Sequence, residues 1–130
     1  MAENEQAKAQ TASPSAEESI FTKIINGQIP CKKVYEDDQA FAFHDINATA
    51  PVHFLVVPKK PITQLSAVDP SDEQLLGHLM LVASKCAKQE GLDEGYRVVV
   101  NDGKHGCQSV YHLHLHVIGG KQLGWPPTGN

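Results

Sequence analysis

At 130 residues, 41% of them hydrophobic, the chain can bury one core but not two. A net charge of -4 excludes broad nucleic-acid binding, which needs clustered Lys and Arg, and no apolar run reaches membrane length. Three cysteines with no C-x-x-C pair suit a reducing cytoplasm or nucleus.

Residues 1–18 are rich in Ala, Gln, Glu and Ser, lack periodicity and carry no signal-like apolar region, so a disordered tail is expected there. The ordered domain is expected over 19–130. Ser19 reads as the N-cap of a short helix with Ile20, Phe21, Ile24 and Ile25 on one face, stopped by Gly27. Strands are expected at Lys33 to Glu36, Ala40 to Asp45 and Val52 to Val57, the first two joined by a hairpin at Asp37, Asp38 and Gln39. Asp69 and Pro70 open the longest helix, whose stripe is Leu75, Leu76, Leu79, Met80, Val82, Ala83 and Cys86, and Gly91 closes it. Tyr96 to Val100 and Val110 to Ile118 read as the last strands. Short loops between five strands and only two helices predict an antiparallel sheet in an α+β fold.

The last strand carries the chemistry. His112, Leu113, His114, Leu115 and His116 alternate, and strand side chains alternate faces, so the histidines share one surface while the leucines enter the core. Neutral imidazoles side by side need polar partners and repel when protonated, a poor choice for structure alone. One ring can attack as a nucleophile while a neighbour carries a proton to the leaving group, which suits a phosphorus centre. Zinc is the rival occupant. With a rise of ~3.3 Å per residue the outer histidines start about 13 Å apart, so one ion takes two of the three, and zinc is not expected to be catalytic.

The small, polar run Gly106, Cys107, Gln108, Ser109 before that strand, and the ending Gly119, Gly120, Trp125, Pro126, Pro127, complete a specific pattern. It resembles the histidine triad (HIT) family of nucleotide hydrolases and transferases, in its nucleoside phosphoramidase branch. That resemblance implies a five-stranded HIT-like sheet continued across a homodimer, and no required cofactor. It assigns the nucleophile to His114, with His112 and His116 as neighbours, His53 as a fourth histidine completing a proton relay, and Ser109 beside them. The central place of His114 agrees, because flanking groups can fix its tautomer.

The resemblance puts phosphate contacts at Asn101, Cys107, Gln108 and Ser109 as well as His114 and His116, and a tight turn of amides is an adequate anion site. Ordinary turn chemistry for Ser109 and a strand-ending cap for Asn101 are the alternative readings. Cys107 stands where many relatives carry glycine. Phe21, Ile24, Phe43, His44, Asp45 and Ile46 are implied to line the nucleoside groove, with Asp45 accepting from ribose hydroxyls. Phe21 and Ile24 by themselves read as core. Trp125 is implied to reach the partner subunit's site.

The expected activity is hydrolysis of adenosine 5'-monophosphoramidates to AMP and an amine through a nucleotidyl-histidine. The alternatives are a nucleotide-binding regulatory module acting on protein partners and a dinucleoside polyphosphate hydrolase. A purine nucleotide is the expected ligand, with no membrane or direct nucleic-acid partner.

Overall fold

The computed structural model describes residues 8, 9, 12 and 18–128. The tail expected over 1–18 therefore lies almost wholly outside the described residues.

Helix α1 spans Ile20–Ile25, and the Ser19 hydroxyl accepts from Thr22 N at its start. Gly27, at φ +81°, adopts the left-handed conformation that lets the chain leave the helix. Strands β1 (Lys33–Glu36) and β2 (Ala40–His44) form a hairpin whose turn is closed by Asp37, which accepts from Gln39 N and Ala40 N at 2.8 and 2.7 Å. Strand β3 (Val52–Pro58) follows. Pro70–Asp72 forms a 3-10 turn rather than the first turn of the long helix, capped reciprocally by Asp69 and Asp72. Helix α2 begins after it, at Glu73–Gln89. Strands β4 (Tyr96–Val99) and β5 (Leu115–Gly119) complete the sheet.

The sheet is five-stranded and antiparallel throughout, in the order β1-β2-β3-β5-β4. Alternation divides its side chains between two clusters. Ala40, Ala42, Phe54, Val56, Leu115 and Val117 pack with Leu79, Val82, Ala83, Cys86 and Ala87 of α2. On the other face Phe41, Phe43, Leu55 and Val57 meet Phe21 of α1. Two expected stripe members fall outside: Ile20 is 49% and Met80 52% exposed.

The last strand is shorter than its sequence suggests. Val56 pairs with Leu115, and the ladder then stops because Pro58 has no N–H to give and its carbonyl accepts from the His112 ring instead. Leu113 N donates to Ile62 O, so residues 110–114 approach the sheet as an irregular segment. The leucines nonetheless enter the α2-side core and the histidines turn to the α1 side.

Candidate active site

Four buried histidines, His53, His112, His114 and His116, gather under α1 on one face of the sheet. His53 and His116 come from neighbouring strands, where His53 pairs directly with Ile118 and so lies diagonal to His116. Phe21 is wedged against two of the rings, its centroid 5.0 Å from His114 and 6.1 Å from His112.

The hydrogen bonds fix where each ring carries its proton. Thr49 N donates to His53 Nδ1 at 3.1 Å, which puts the His53 proton on Nε2. That nitrogen lies 2.9 Å from His116 Nδ1 and 3.3 Å from Asp45 Oδ2. A neutral His116 accepting at Nδ1 carries its proton on Nε2, the single buried side-chain polar atom without a partner among the described residues. His114 Nδ1 donates to the His112 carbonyl at 2.7 Å, leaving a lone pair on Nε2. The His114 and His116 rings are 4.9 Å apart, centroid to centroid. A nucleophilic nitrogen and an unsatisfied N–H donor thus sit on adjacent rings.

Burial keeps these rings neutral. It pushes the His114 imidazole down to about 4, and His116 down to about 3 with help from the neighbouring His114 and His53 rings. Burial also lowers His112 and His53, with Asp45 opposing the shift of His53.

The loop before β5 is built around residues without free choice of conformation. A Cβ on Gly106 would lie 2.5 Å from the Asp102 carbonyl oxygen, so only glycine fits. Cys107 takes φ +63°, a left-handed conformation that costs a side-chain-bearing residue. The amides of Cys107 and Gln108 donate to the carbonyls of Lys104 and Gly103 inside this turn. Anion contacts from these two amides would cost those bonds, whereas the half-buried Ser109 hydroxyl has no partner among the described residues. Asn101 is half-buried just before the turn.

The Gln108 side chain is 1% exposed and points inward, accepting from Gly103 N and donating to the carbonyls of Thr63 and Val110. Asp102 holds the same loop by accepting from Ser66 N and the Ser66 hydroxyl at 2.7 and 3.0 Å.

Of the expected groove residues, Phe21 and Phe43 lie on the histidine face, with Ile24 packed against the same cluster. Asp45 is nearer the relay than its expected ribose role required: Oδ1 accepts from Asn47 N while Oδ2 faces His53. His44 sits on the α2 side, its Nε2 3.5 Å from Glu90. Ile46 is 95% and Trp125 81% exposed.

Sequence reasoning missed four contributors. Ser19, Thr22 and the Pro58 carbonyl contact the His112 ring, and Thr49 sets the His53 tautomer. Asp45 reaches His53 because the antiparallel pairing of His44 with Phe54 makes those two residues the next cross-strand pair. Asp45, His53 and His116 also bring three ligand atoms within 4.8 Å of one another, a nitrogen and oxygen donor set that fits zinc.

An α+β sheet carrying a row of buried imidazoles behind a tight glycine loop defines a histidine-based hydrolase or nucleotide-binding protein. The HIT domain matches residues 26–123, and the chain belongs to the HIT family. It is 52% identical over 111 residues to the 14 kDa zinc-binding protein of Zea mays, covering 84% of this chain and 87% of that one. A HIT family hydrolase from Legionella pneumophila superposes with a TM-score of 0.82 at 45% identity, over 85% of this chain and 99% of that one. The histidine triad nucleotide-binding protein of Candida albicans gives a TM-score of 0.72 at 32% identity, over 87% and 86% of the two chains. Among the described residues, no helix is long and apolar enough to cross a membrane.

Proposed function

We propose that this HIT protein is a purine nucleoside phosphoramidase that hydrolyses adenosine 5'-monophosphoramidates. The observation that carries the reading is the pairing of a lone-pair nitrogen on His114 with the buried, unpartnered Nε2–H of His116 on the adjacent ring. His114 Nε2 attacks the α-phosphorus, the bond from phosphorus to the amine nitrogen breaks, and the departing amine takes a proton through His116 and His53. Water then attacks the nucleotidyl-histidine, the bond from phosphorus to His114 Nε2 breaks, and the proton shed by the water returns to the His53 and His116 pair, releasing AMP and restoring the rings. Stepwise displacement divides one high barrier into two lower ones. In this reading the His116 N–H and the Ser109 hydroxyl meet the developing phosphate charge, and burial of His116 strengthens its bond.

Homodimerisation fits the exposed apolar surface. Leu81 is 71% and Tyr96 40% exposed, Leu81 on α2 and Tyr96 on the edge strand β4. A partner there would extend the sheet, and the exposed Trp125 would be free to reach across. Unpaired Cys31, Cys86 and Cys107 support a reducing compartment, the cytoplasm or nucleus.

Asp45, His53 and His116 are the residues that would hold zinc, which supplies Lewis-acid chemistry when bound. Ligation at His53 Nε2 would displace the proton this nitrogen shares with His116. We therefore read zinc as an occupant that silences the relay.

The test is intact-protein mass spectrometry of wild type and His114→Gly, each quenched during turnover of an adenosine 5'-phosphoramidate. A nucleotidyl adduct on wild type, absent from an inactive variant, supports the reading. Full turnover in the variant, or its loss from wild type treated with a chelator, overturns it.

A further inference from the structure

Both ring nitrogens of His112 are already engaged. Nε2 donates to the Pro58 carbonyl at 2.7 Å, so Nδ1 must accept, and the Ser19 hydroxyl lies 2.8 Å from it. The same hydroxyl accepts from Thr22 N, so it caps α1 and donates to the ring at once. Thr22 Oγ1, at 3.3 Å, is a weaker second donor. The His112 ring is 1% exposed, with Phe21 beside it. A ring held at both ends carries no spare lone pair or proton for a substrate.

The His112 backbone has a different task. Its carbonyl receives the Nδ1–H of His114 and thereby decides that the lone pair of His114 stands on Nε2. This carbonyl lies in the irregular segment 110–114, where the sheet ladder no longer fixes the backbone. The two bonds to the His112 ring replace that missing ladder as its anchor.

We propose that Ser19 is a positioning residue, whose hydroxyl bolts the His112 ring to α1 so that the His112 carbonyl orients the His114 nucleophile. His112 is then a strut in the triad rather than a proton carrier. The inference rests on the phosphoramidase reading for its kinetic consequence, and on the hydrogen-bond geometry alone for its structural one.

Three variants separate the roles of Ser19. Ser19→Thr keeps both the cap and the donor. Ser19→Asp keeps the cap but can only accept, so it calls for a proton on His112 Nδ1 while Pro58 still claims the one on Nε2. Ser19→Ala combined with Thr22→Val removes both donors. Long-range proton–nitrogen NMR of the histidine rings reads the outcome without substrate, and steady-state kinetics with an adenosine phosphoramidate reads it with substrate.

The expected result is a neutral His112 with its proton on Nε2 in wild type and Ser19→Thr, and protons on both nitrogens in Ser19→Asp. Turnover should fall at least tenfold in kcat, with KM little changed, in the double variant, which loses the anchor, and stay close to wild type in Ser19→Thr and Ser19→Asp, which keep it. A folded Ser19→Asp protein whose His112 signals match wild type overturns the proposal. So does a folded double variant with kcat unchanged. Absence of turnover in wild type would instead remove the phosphoramidase reading, while the NMR comparison still decides whether Ser19 holds the ring.

Discussion

Replacing Gln108 by Ala should unfold the loop that borders the histidines more than it weakens any contact to a ligand. The side chain makes three hydrogen bonds, at 3.0, 2.8 and 3.0 Å, to Gly103 N, Thr63 O and Val110 O, and is 1% exposed. At about 1 kcal/mol net for each bond, plus about 1 kcal/mol for buried side-chain atoms and the space they leave, the loss is about 4 kcal/mol. For a domain of this size that lowers the thermal midpoint by about 10–15 °C. Differential scanning calorimetry at pH 7.5 measures it, with Gln108→Glu as the control. Glutamate keeps the acceptor for Gly103 N but sets an oxygen against two carbonyls, so the folded state must hold its carboxyl protonated. Its folded pKa then lies above the unfolded value, and the variant should lose stability as pH rises from about 4 toward neutrality. A Gln108→Ala protein that melts within a degree or two of wild type yet loses AMP affinity would refute the reasoning and make the side chain a direct ligand contact.

Acid should destabilise the fold early. His114 and His116 lie near 4 and 3 in the folded protein, below the ordinary imidazole value, so between pH 6.5 and about 4 the unfolded chain binds protons that the folded one refuses. Unfolding free energies from urea titration should be flat above pH 7 and decline below 6.5, by up to about 1.4 kcal/mol per pH unit per buried histidine, a slope that His116→Gln should reduce. Gly106→Ala should displace Asp102 and its bonds to Ser66, seen as lost activity and faster amide exchange in residues 102–108. Cys107→Gly relieves a positive φ and should leave activity intact while raising stability by about 1 kcal/mol, read from the thermal midpoint. Micromolar zinc should inhibit turnover and chelator restore it, with Asp45→Asn less sensitive in the same assay. Leu81→Asp should shift a dimer toward monomer in light scattering, whereas a wild-type protein already monomeric would remove the proposed interface.

The antiparallel sheet and the shared face of His112, His114 and His116 were legible in the sequence because they depend on local periodicity, whereas the family and the fourth histidine, His53, followed from the resemblance of the motif. Alternation along Val52–Pro58 and the His-Leu repeat assigns each side chain to a face without knowing what covers it. The hairpin at Asp37 was equally plain, since its turn chemistry is confined to four residues. The end of β5 was not, because strand length depends on a partner's donors, and Pro58 withholds one from across the sheet.

The proton inventory belongs to the tertiary structure alone. No local pattern announces that Ser19, 93 residues away, meets the His112 ring, or that Thr49 sets the tautomer of His53. The placing of His44 on the α2 face follows from alternation once Phe43 is known to face the histidines, yet that facing is decided by how α1 docks. Residue type and spacing determined which groups could act. Long-range packing decided their protonation, because a buried imidazole takes its tautomer from whatever donor and acceptor the fold brings to it.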